Sequence, residues 1–537
     1  MTVHAQRAAT MAGRSTVYAP NGMVATSQPL ATSAALGVLQ RGGNAVDAAV
    51  TAAAVLSVVE PHMTGVGGDL FVIIWSARDR KLYGLNASGR SGSLITRDEL
   101  VKRGRRSIAG VEAITVPGAV SGWQALLERF GTLKLAAALA PAIQHAENGF
   151  PVSPLIAREW QGEAARLQSD AGAAATFLFD GQRAPRAGEW FRNADYARTL
   201  RTLAEAGPAV LYGGDLGRRI AEHVQKLGGF LTAEDFQRHE VEWFEPISAP
   251  FRGYRLWELP PNGQGIAALE MLRILDGYDL AAMGHNSPAY LHHLIEAKKL
   301  AYADLNQFIA DPATMRIKPA SLLEDGFIQT RRRQLDPARA AERAEPGAPI
   351  TASETIYLTT SDAEGNMVSL INSIYSEFGS GIVVPGLGFA LQDRGSGFTL
   401  QEGHANLVAP RKRPLHTIIP AFVTRTNGTT EEPWLSFGVM GGSMQPQGHV
   451  QVLLNLVVFG MDLQQAIDAP RFRHQSGRNV ALENAIGPTV RNQLTALGHL
   501  IVDESNVAFG GAQAILKLAR GWAAGSDPRK DGMAAGH

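Results

Sequence analysis

The stretch TASETIYLTTSDAEGNMVSLINSIYSEFGSGIVVPGLGFALQ, Thr351 to Gln392, constrains this chain more than any other part of it. Within it Thr355 follows a glutamate and opens the alternating run Thr355-Ile-Tyr-Leu-Thr-Thr-Ser361, which predicts a strand over 355–361. Upstream of that point most segments are helical in period. Downstream, period-two runs with glycine turns predict strands at Met367–Tyr375, Phe422–Arg425 and Trp434–Val439, and a helix holding Gln451 runs to about Phe459. A threonine at this switch also has a chemical reading. Its hydroxyl is a poor nucleophile at neutral pH, but its own α-amine can act as the base once the preceding peptide bond is cut. Thr355 would gain that amine by attacking the Glu354 carbonyl and letting water hydrolyse the ester, leaving residues 1–354 and 355–537 as two subunits. Taken alone, a threonine at a strand start is explained by β-propensity.

The rest of the pattern is alternately helical and stranded. Helices are expected at Leu30–Gln40 and Ala45–Val59, split by Arg41-Gly-Gly-Asn44, where glycine stops the first and Asn44 caps the second. Leu70–Trp75 and Tyr254–Leu259 read as strands, and Gly265–Leu275 and Ala289–Phe308 as helices. Leu133 to Gly228 is helical with breaks at Gly149-Phe-Pro151 and Asp180-Gly181, and Leu335–Ala348, rich in Ala, Arg and Pro, reads as a surface linker that keeps the cleavage point accessible. With 50 basic and 50 acidic residues, no net charge favours nucleic acid or an anionic membrane as partner. Cysteine is absent, which excludes disulfides, thiolate catalysis and cysteine-ligated metals. The first residues carry no apolar run long enough for a secretory signal, so a cytoplasmic location is expected. No segment approaches the roughly 18–20 apolar residues of a membrane span; Ala45–Val59 comes nearest but carries Asp47 and reads as a buried helix.

Many further segments resemble the γ-glutamyltransferase (γ-glutamyltranspeptidase, glutathione hydrolase) family, in the family's order and almost end to end. They are ATSQPLATSAALGVLQRGGNAVDAAVTAAAVLSVVEPHMTGVGGDLF (Ala25–Phe71), ITVPGAVSGW (Ile114–Trp123), LTAEDFQRHEVEWFEPIS (Leu231–Ser248), ELPPNGQGIAALEML (Glu258–Leu272) and EAKKLAYAD (Glu296–Asp304). After the Thr355 region follow KRPLHTIIPAF (Lys412–Phe422) and GVMGGSMQPQGH (Gly438–His449). The resemblance implies an N-terminal-nucleophile (Ntn) hydrolase fold, an αββα sandwich of two stacked sheets between helical layers, built from both cleavage products as one unit. Periodicity alone gives only an α/β chain with an antiparallel component. The resemblance also implies a heterodimer of the two products, alone or paired into a dimer of these, with no cofactor and no metal.

Residue by residue, the resemblance makes Thr355 the nucleophile and Ser373 the hydroxyl that contacts its amine. It makes Gly441 and Gly442 the oxyanion-hole glycines, whose backbone N–H groups can approach a developing negative charge. The substrate pocket departs from the γ-glutamyl pattern. The family's carboxylate-binding arginine, followed by Ala-Pro, corresponds to Asn86-Ala-Ser-Gly-Arg-Ser91, with Arg90 displaced by a couple of residues. The paired aspartates that receive the substrate ammonium align with Ser396-Gly397, an asparagine becomes Tyr375, and a Ser-Ser pair becomes His416-Thr417. The set Tyr375, Gln392, Arg394, His416 and Thr417 is more similar to the branch with oxamate amidohydrolase and cephalosporin-acylase-like proteins. There Arg90 or Arg394 could hold a substrate carboxylate; for either, a structural ion pair is an equal reading.

Three functions follow from this reading. The first is a self-processing threonine amidase that forms an acyl-enzyme, with a γ-glutamyl group as from glutathione or a related one, and passes it to water or an amine. The second is the same mechanism on a non-glutamyl amide such as oxamate or an acylated β-lactam. The third is an unprocessed binding or structural protein, against which Thr355, Ser373 and Gly441-Gly442 argue. Two other signals weigh less. His292 and Glu296 share a helix face but lack the zinc-protease HExxH pattern, and Gly65-Val-Gly-Gly68 lacks a phosphate-loop ending and reads as a tight turn beside the site. His416 as a general base is unnecessary beside a threonine amine and reads as pocket lining.

Overall fold

The alternation of buried side chains along the strands sorts the molecule into layers. In the computed structural model, which describes residues 13–342, 354–428 and 430–537, every residue of the strand Asp69–Ser76 is buried, but on two different sides. Leu70, Val72 and Ile74 pack outward with the helices Pro29–Gln40 and Ala45–Val59, while Phe71, Ile73 and Trp75 pack inward with Tyr357, Ile371, Phe422 and Ile515. A strand covered on both faces needs a helix layer on one side and a second sheet on the other. The αββα sandwich expected from the resemblance is what forms.

One seven-stranded sheet runs, in spatial order, Met533–Gly536, Met23–Thr26, Glu354–Ser361, Met367–Tyr375, Asp69–Ser76, Lys81–Asn86 and Glu242–Phe244. The other runs Val17–Ala19, Trp522–Ser526, Gly511–Lys517, Thr430–Met440, Ala421–Asn427, Tyr254–Glu258 and Ile247–Phe251. Neighbouring strands are antiparallel throughout. Both sheets draw strands from before and after residue 354. On the outer face of the second sheet, Ala421, Val423, Leu435, Phe437 and Val439 pack with the helices Gly265–Leu275, Pro288–Phe308 and Met444–Val457.

Local chemistry explains the element bounds. Asn44 caps Ala45–Val59 by accepting from the Val46 and Asp47 amides, and the Asp47 carboxylate in turn accepts from the Asn44 amide. Asp47, buried in an otherwise apolar helix, also accepts from the Thr132 and Leu133 amides and the Thr132 hydroxyl, so its burial is satisfied. Residues 335–342 of the expected linker form no helix or strand. The remainder of that linker lies outside the described residues, as do residues 1–12. Among the described residues no helix is long and apolar enough to cross a membrane.

Candidate active site

The strand Glu354–Ser361 pairs with Met367–Tyr375 in a register that slips at its first residues: Glu354 faces Tyr375 and Ile356 faces Asn372. Thr355 therefore stands opposite two residues, Ser373 and Ile374. Such a bulge interrupts the ladder and re-aims side chains. Here it brings the Thr355 hydroxyl onto Ser373, donating to its Oγ at 3.1 Å, with both residues completely buried. Tyr375 closes the bulge at φ 79°, a left-handed conformation that costs a bulky residue about 1–3 kcal/mol. Its amide donates to the same Ser373 Oγ at 2.9 Å.

Parity carries Thr355 to the inner face. Thr359 hydrogen-bonds Ser436 across the sheets at 2.7 Å, and Tyr357 packs so closely on Gly438 that a Cβ there would lie 2.5 Å from the ring. Stepping two residues further along each strand brings Thr355 to the end of Thr430–Met440, where Gly441 and Gly442 follow. Both take left-handed conformations, φ 120° and 55°, that glycine adopts without a Cβ penalty. They lead into the helix Met444–Val457, whose N-terminal amides favour negative charge. Gln264 holds this turn by donating to the Gly442 carbonyl at 2.8 Å and to the Thr417 carbonyl, and Tyr302 donates to the Ser443 carbonyl.

The glycine turn at 65–68 does pack against this centre. A Cβ on Gly68 would lie 2.3 Å from the Ser373 carbonyl oxygen, and one on Gly67 would lie 2.2 Å from that of Ala390. The turn delivers Asp69, which the sequence reading did not single out although it stands directly after the glycines. Its Oδ1 accepts from the Gly89 amide (2.9 Å) and from Gln392 Nε2 (3.0 Å), and its Oδ2 from His416 Nε2 (2.9 Å). His416 also accepts at Nδ1 from the Ile418 amide, so both ring nitrogens are engaged as a neutral imidazole. Burial, with the Arg394 charge adding to it, pushes the ring down to about 3, which keeps His416 neutral near neutral pH.

Arg394 is fully buried. It donates to Ser373 Oγ at 3.1 Å and to Thr417 Oγ1 at 2.7 Å, and its guanidinium carbon lies 4.4 Å from the centre of the Tyr375 ring. Thr355, Tyr375, Arg394 and Thr417 thus gather around Ser373, and Gln392 and His416 around Asp69, the residue paired with Ser373 on the neighbouring strand. Arg90 lies outside both groups, with its guanidinium on Asp311 (2.8 Å) and Glu242 (3.3 Å) and its side chain 39% exposed. His292 and Glu296 are joined by His499, which donates to His292 Nδ1 at 2.8 Å, but the Lys299 ammonium sits 2.7 Å from Glu296 and neutralises it.

The chain matches the gamma-glutamyltranspeptidase family over residues 31–537. It is 37% identical over 523 residues to the glutathione hydrolase-like YwrD proenzyme of Bacillus subtilis (strain 168), covering 96% of this chain and 98% of that one. To the oxamate amidohydrolase proenzyme of Klebsiella pneumoniae it is 34% identical over 533 residues, covering 96% and 98%. The crystal structure of cephalosporin acylase from Bacillus halodurans superposes with a TM-score of 0.92 at 42% identity, over 100% of this chain and 99% of the other. The expected similarity to glutathione hydrolases, to oxamate amidohydrolase and to cephalosporin acylases is therefore present. The chain belongs to the gamma-glutamyltranspeptidase family and has the Ntn-hydrolase fold.

Proposed function

We propose that the chain cuts itself between Glu354 and Thr355 and then acts as a threonine amidase through the freed residue. The observation that carries this reading is the Thr355 hydroxyl, turned by the bulge onto Ser373 at the residue where the two products would separate. In the mature protein the Thr355 α-amine accepts the hydroxyl proton as Oγ1 attacks the amide carbonyl. The tetrahedral oxyanion is received by backbone N–H groups of the Gly441-Gly442 turn, a contribution of about 2.7–4 kcal/mol per donor in such sites. The ammonium then returns the proton to the leaving amine, and water or an acceptor amine releases the acyl group from the threonine ester. Strands of both products interleave in both sheets, so the pieces remain joined as a heterodimer.

The acyl group that fits is one without an ammonium. The Asp69 carboxylate already serves three donors, and Asp393 is tied to the Ser376 amide and hydroxyl. Bringing a substrate ammonium beside carboxylates so engaged would leave a buried charge poorly paired. This favours non-glutamyl amides of the oxamate or acyl-β-lactam kind over γ-glutamyl donors, with Tyr375, Gln392, His416 and Thr417 lining the acyl side. Incubating the processed protein with γ-glutamyl, glutaryl and oxamic amides and following amine release tests the preference. Peptide mass spectrometry of the acyl-enzyme tests the nucleophile. An adduct on any residue but Thr355 contradicts the mechanism, and γ-glutamyl turnover well above the others contradicts the substrate class.

A further inference from the structure

Most buried arginines of this protein spend their charge on carboxylates. Arg471 pairs with Asp527 at 2.8 Å, Arg529 with Asp527 and Glu483, and Arg413 with Glu242. Arg394 is buried as deeply, yet its Nη1 donates to the Thr417 hydroxyl and its Nη2 to the Ser373 hydroxyl, and among the described residues its Nε has no partner. Burial lowers it only to about 10, so it stays cationic at neutral pH. A cation without a hydrogen-bonded anion is a costly thing to bury and makes sense where its field is used.

We propose that Arg394 is a positioning residue whose charge, delivered through Ser373, disfavours the ammonium form of the mature Thr355 α-amine and so keeps that amine free to act as base. The inference rests on Thr355 being the processed nucleophile. The Ser373 Oγ is shared by the Arg394 guanidinium and the Thr355 hydroxyl at 3.1 Å each, so the amine, on the carbon next to the one that carries the hydroxyl group, lies about two hydrogen bonds from the cation. A cation at that range in a water-excluded site lowers the pKa of a neighbouring amine, whose ordinary value is about 7.7–8.0. The ammonium then gives its proton to solvent below physiological pH, and the free lone pair takes the Oγ1 proton during attack.

The charges nearest Arg394 are those of Asp69 and Asp393, and neither shares the Ser373 hydroxyl with it. The Asp69 carboxylate, on the neighbouring strand, acts in the opposite sense, but three donors partly offset it. Asp393 is turned to Ser376, His416 is neutral, and Tyr375 presents its ring face to the guanidinium. Arg413 adds a weaker positive field already balanced by Glu242, and Glu258 and His449 hydrogen-bond each other behind Tyr357.

The test is the pH dependence of kcat/KM for the wild type, R394Q and R394M, using the anilide that the wild type turns over fastest, after N-terminal sequencing has located Thr355 at the head of the small fragment. Absence of that fragment in the wild type removes the underlying reading and is seen before any profile is measured. With the fragment present, both variants are expected to move the acidic limb upward by about 1–2 pH units, cutting the rate at pH 7 by about 5–10-fold while the alkaline plateau recovers. A raised KM at every pH with an unmoved limb would make Arg394 a substrate anchor and overturn the proposal. So would variants that fail to cut themselves while the wild type does, because the precursor has no amine to tune.

Discussion

The two ends of the layer between the sheets are made by the same strands and do opposite work. At one end Phe71, Ile73, Tyr357, Ile371, Phe422 and Ile515 interdigitate as an apolar core. At the other end the same strands present Asp69, Thr355 and Ser373, joined by His416, Gln392 and Arg394 through hydrogen bonds and by Tyr375 with a strained backbone. The apolar end holds the sheets together without direction, through buried area. The polar end is specified atom by atom, and its hydrogen bonds hold Tyr375 in its strained conformation. The apolar cluster and the polar one are thus separated by two residues along each strand.

Substitutions at the two ends should therefore fail in different ways. Thr355→Ala is expected to abolish both self-cleavage and amide turnover, a loss beyond about 10³-fold, with no fall in thermal midpoint, measured by product release and calorimetry. Phe422→Ala, at the apolar end, should cost about 3–5 kcal/mol in denaturant unfolding while the folded fraction still processes at Thr355. If it instead left stability intact and stopped processing, the division between the ends would be wrong. Gly68→Ala forces its new methyl against the Ser373 carbonyl and should slow turnover about 10–100-fold through displacement of the bulge, with stability changed by only about 1–3 kcal/mol.

The smallest effect concerns pH. His416 and His449 are held to about 3 by burial, below the usual histidine value of 6.5. Below pH 6.5 the unfolded chain binds protons that the native state refuses, so stability should fall as pH drops from about 6.5 toward 3. Each such histidine adds about 1.4 kcal/mol per pH unit to that slope. His416→Gln, read by urea unfolding at several pH values, should flatten it by one proton.

How much of this was legible in the sequence follows from the kind of signal each feature sends. The helix Ala45–Val59 and the strand Met367–Tyr375 have the bounds that their periodicity implies, because capping and alternation are local. Asp69 and Gln264 needed the fold: one is an acidic residue after a glycine turn, the other an amide in a loop, and neither has a local pattern that announces partners more than 150 residues away. The bulge at Thr355 was equally hidden, since the slip belongs to the pairing of two strands and to neither alone. Arg90 and Arg394 could not be told apart by sequence. Only the carboxylates of Asp311 and Glu242 around the first, and the hydroxyls of Ser373 and Thr417 around the second, distinguish them.

The most direct measurement is the intact mass of the purified protein beside its Thr355→Ala variant, with N-terminal sequencing of every fragment. Two wild-type fragments are expected, the smaller beginning at Thr355, and a variant that stays whole. A wild-type chain that remains uncut under native conditions, or one cut at a different bond, would contradict it.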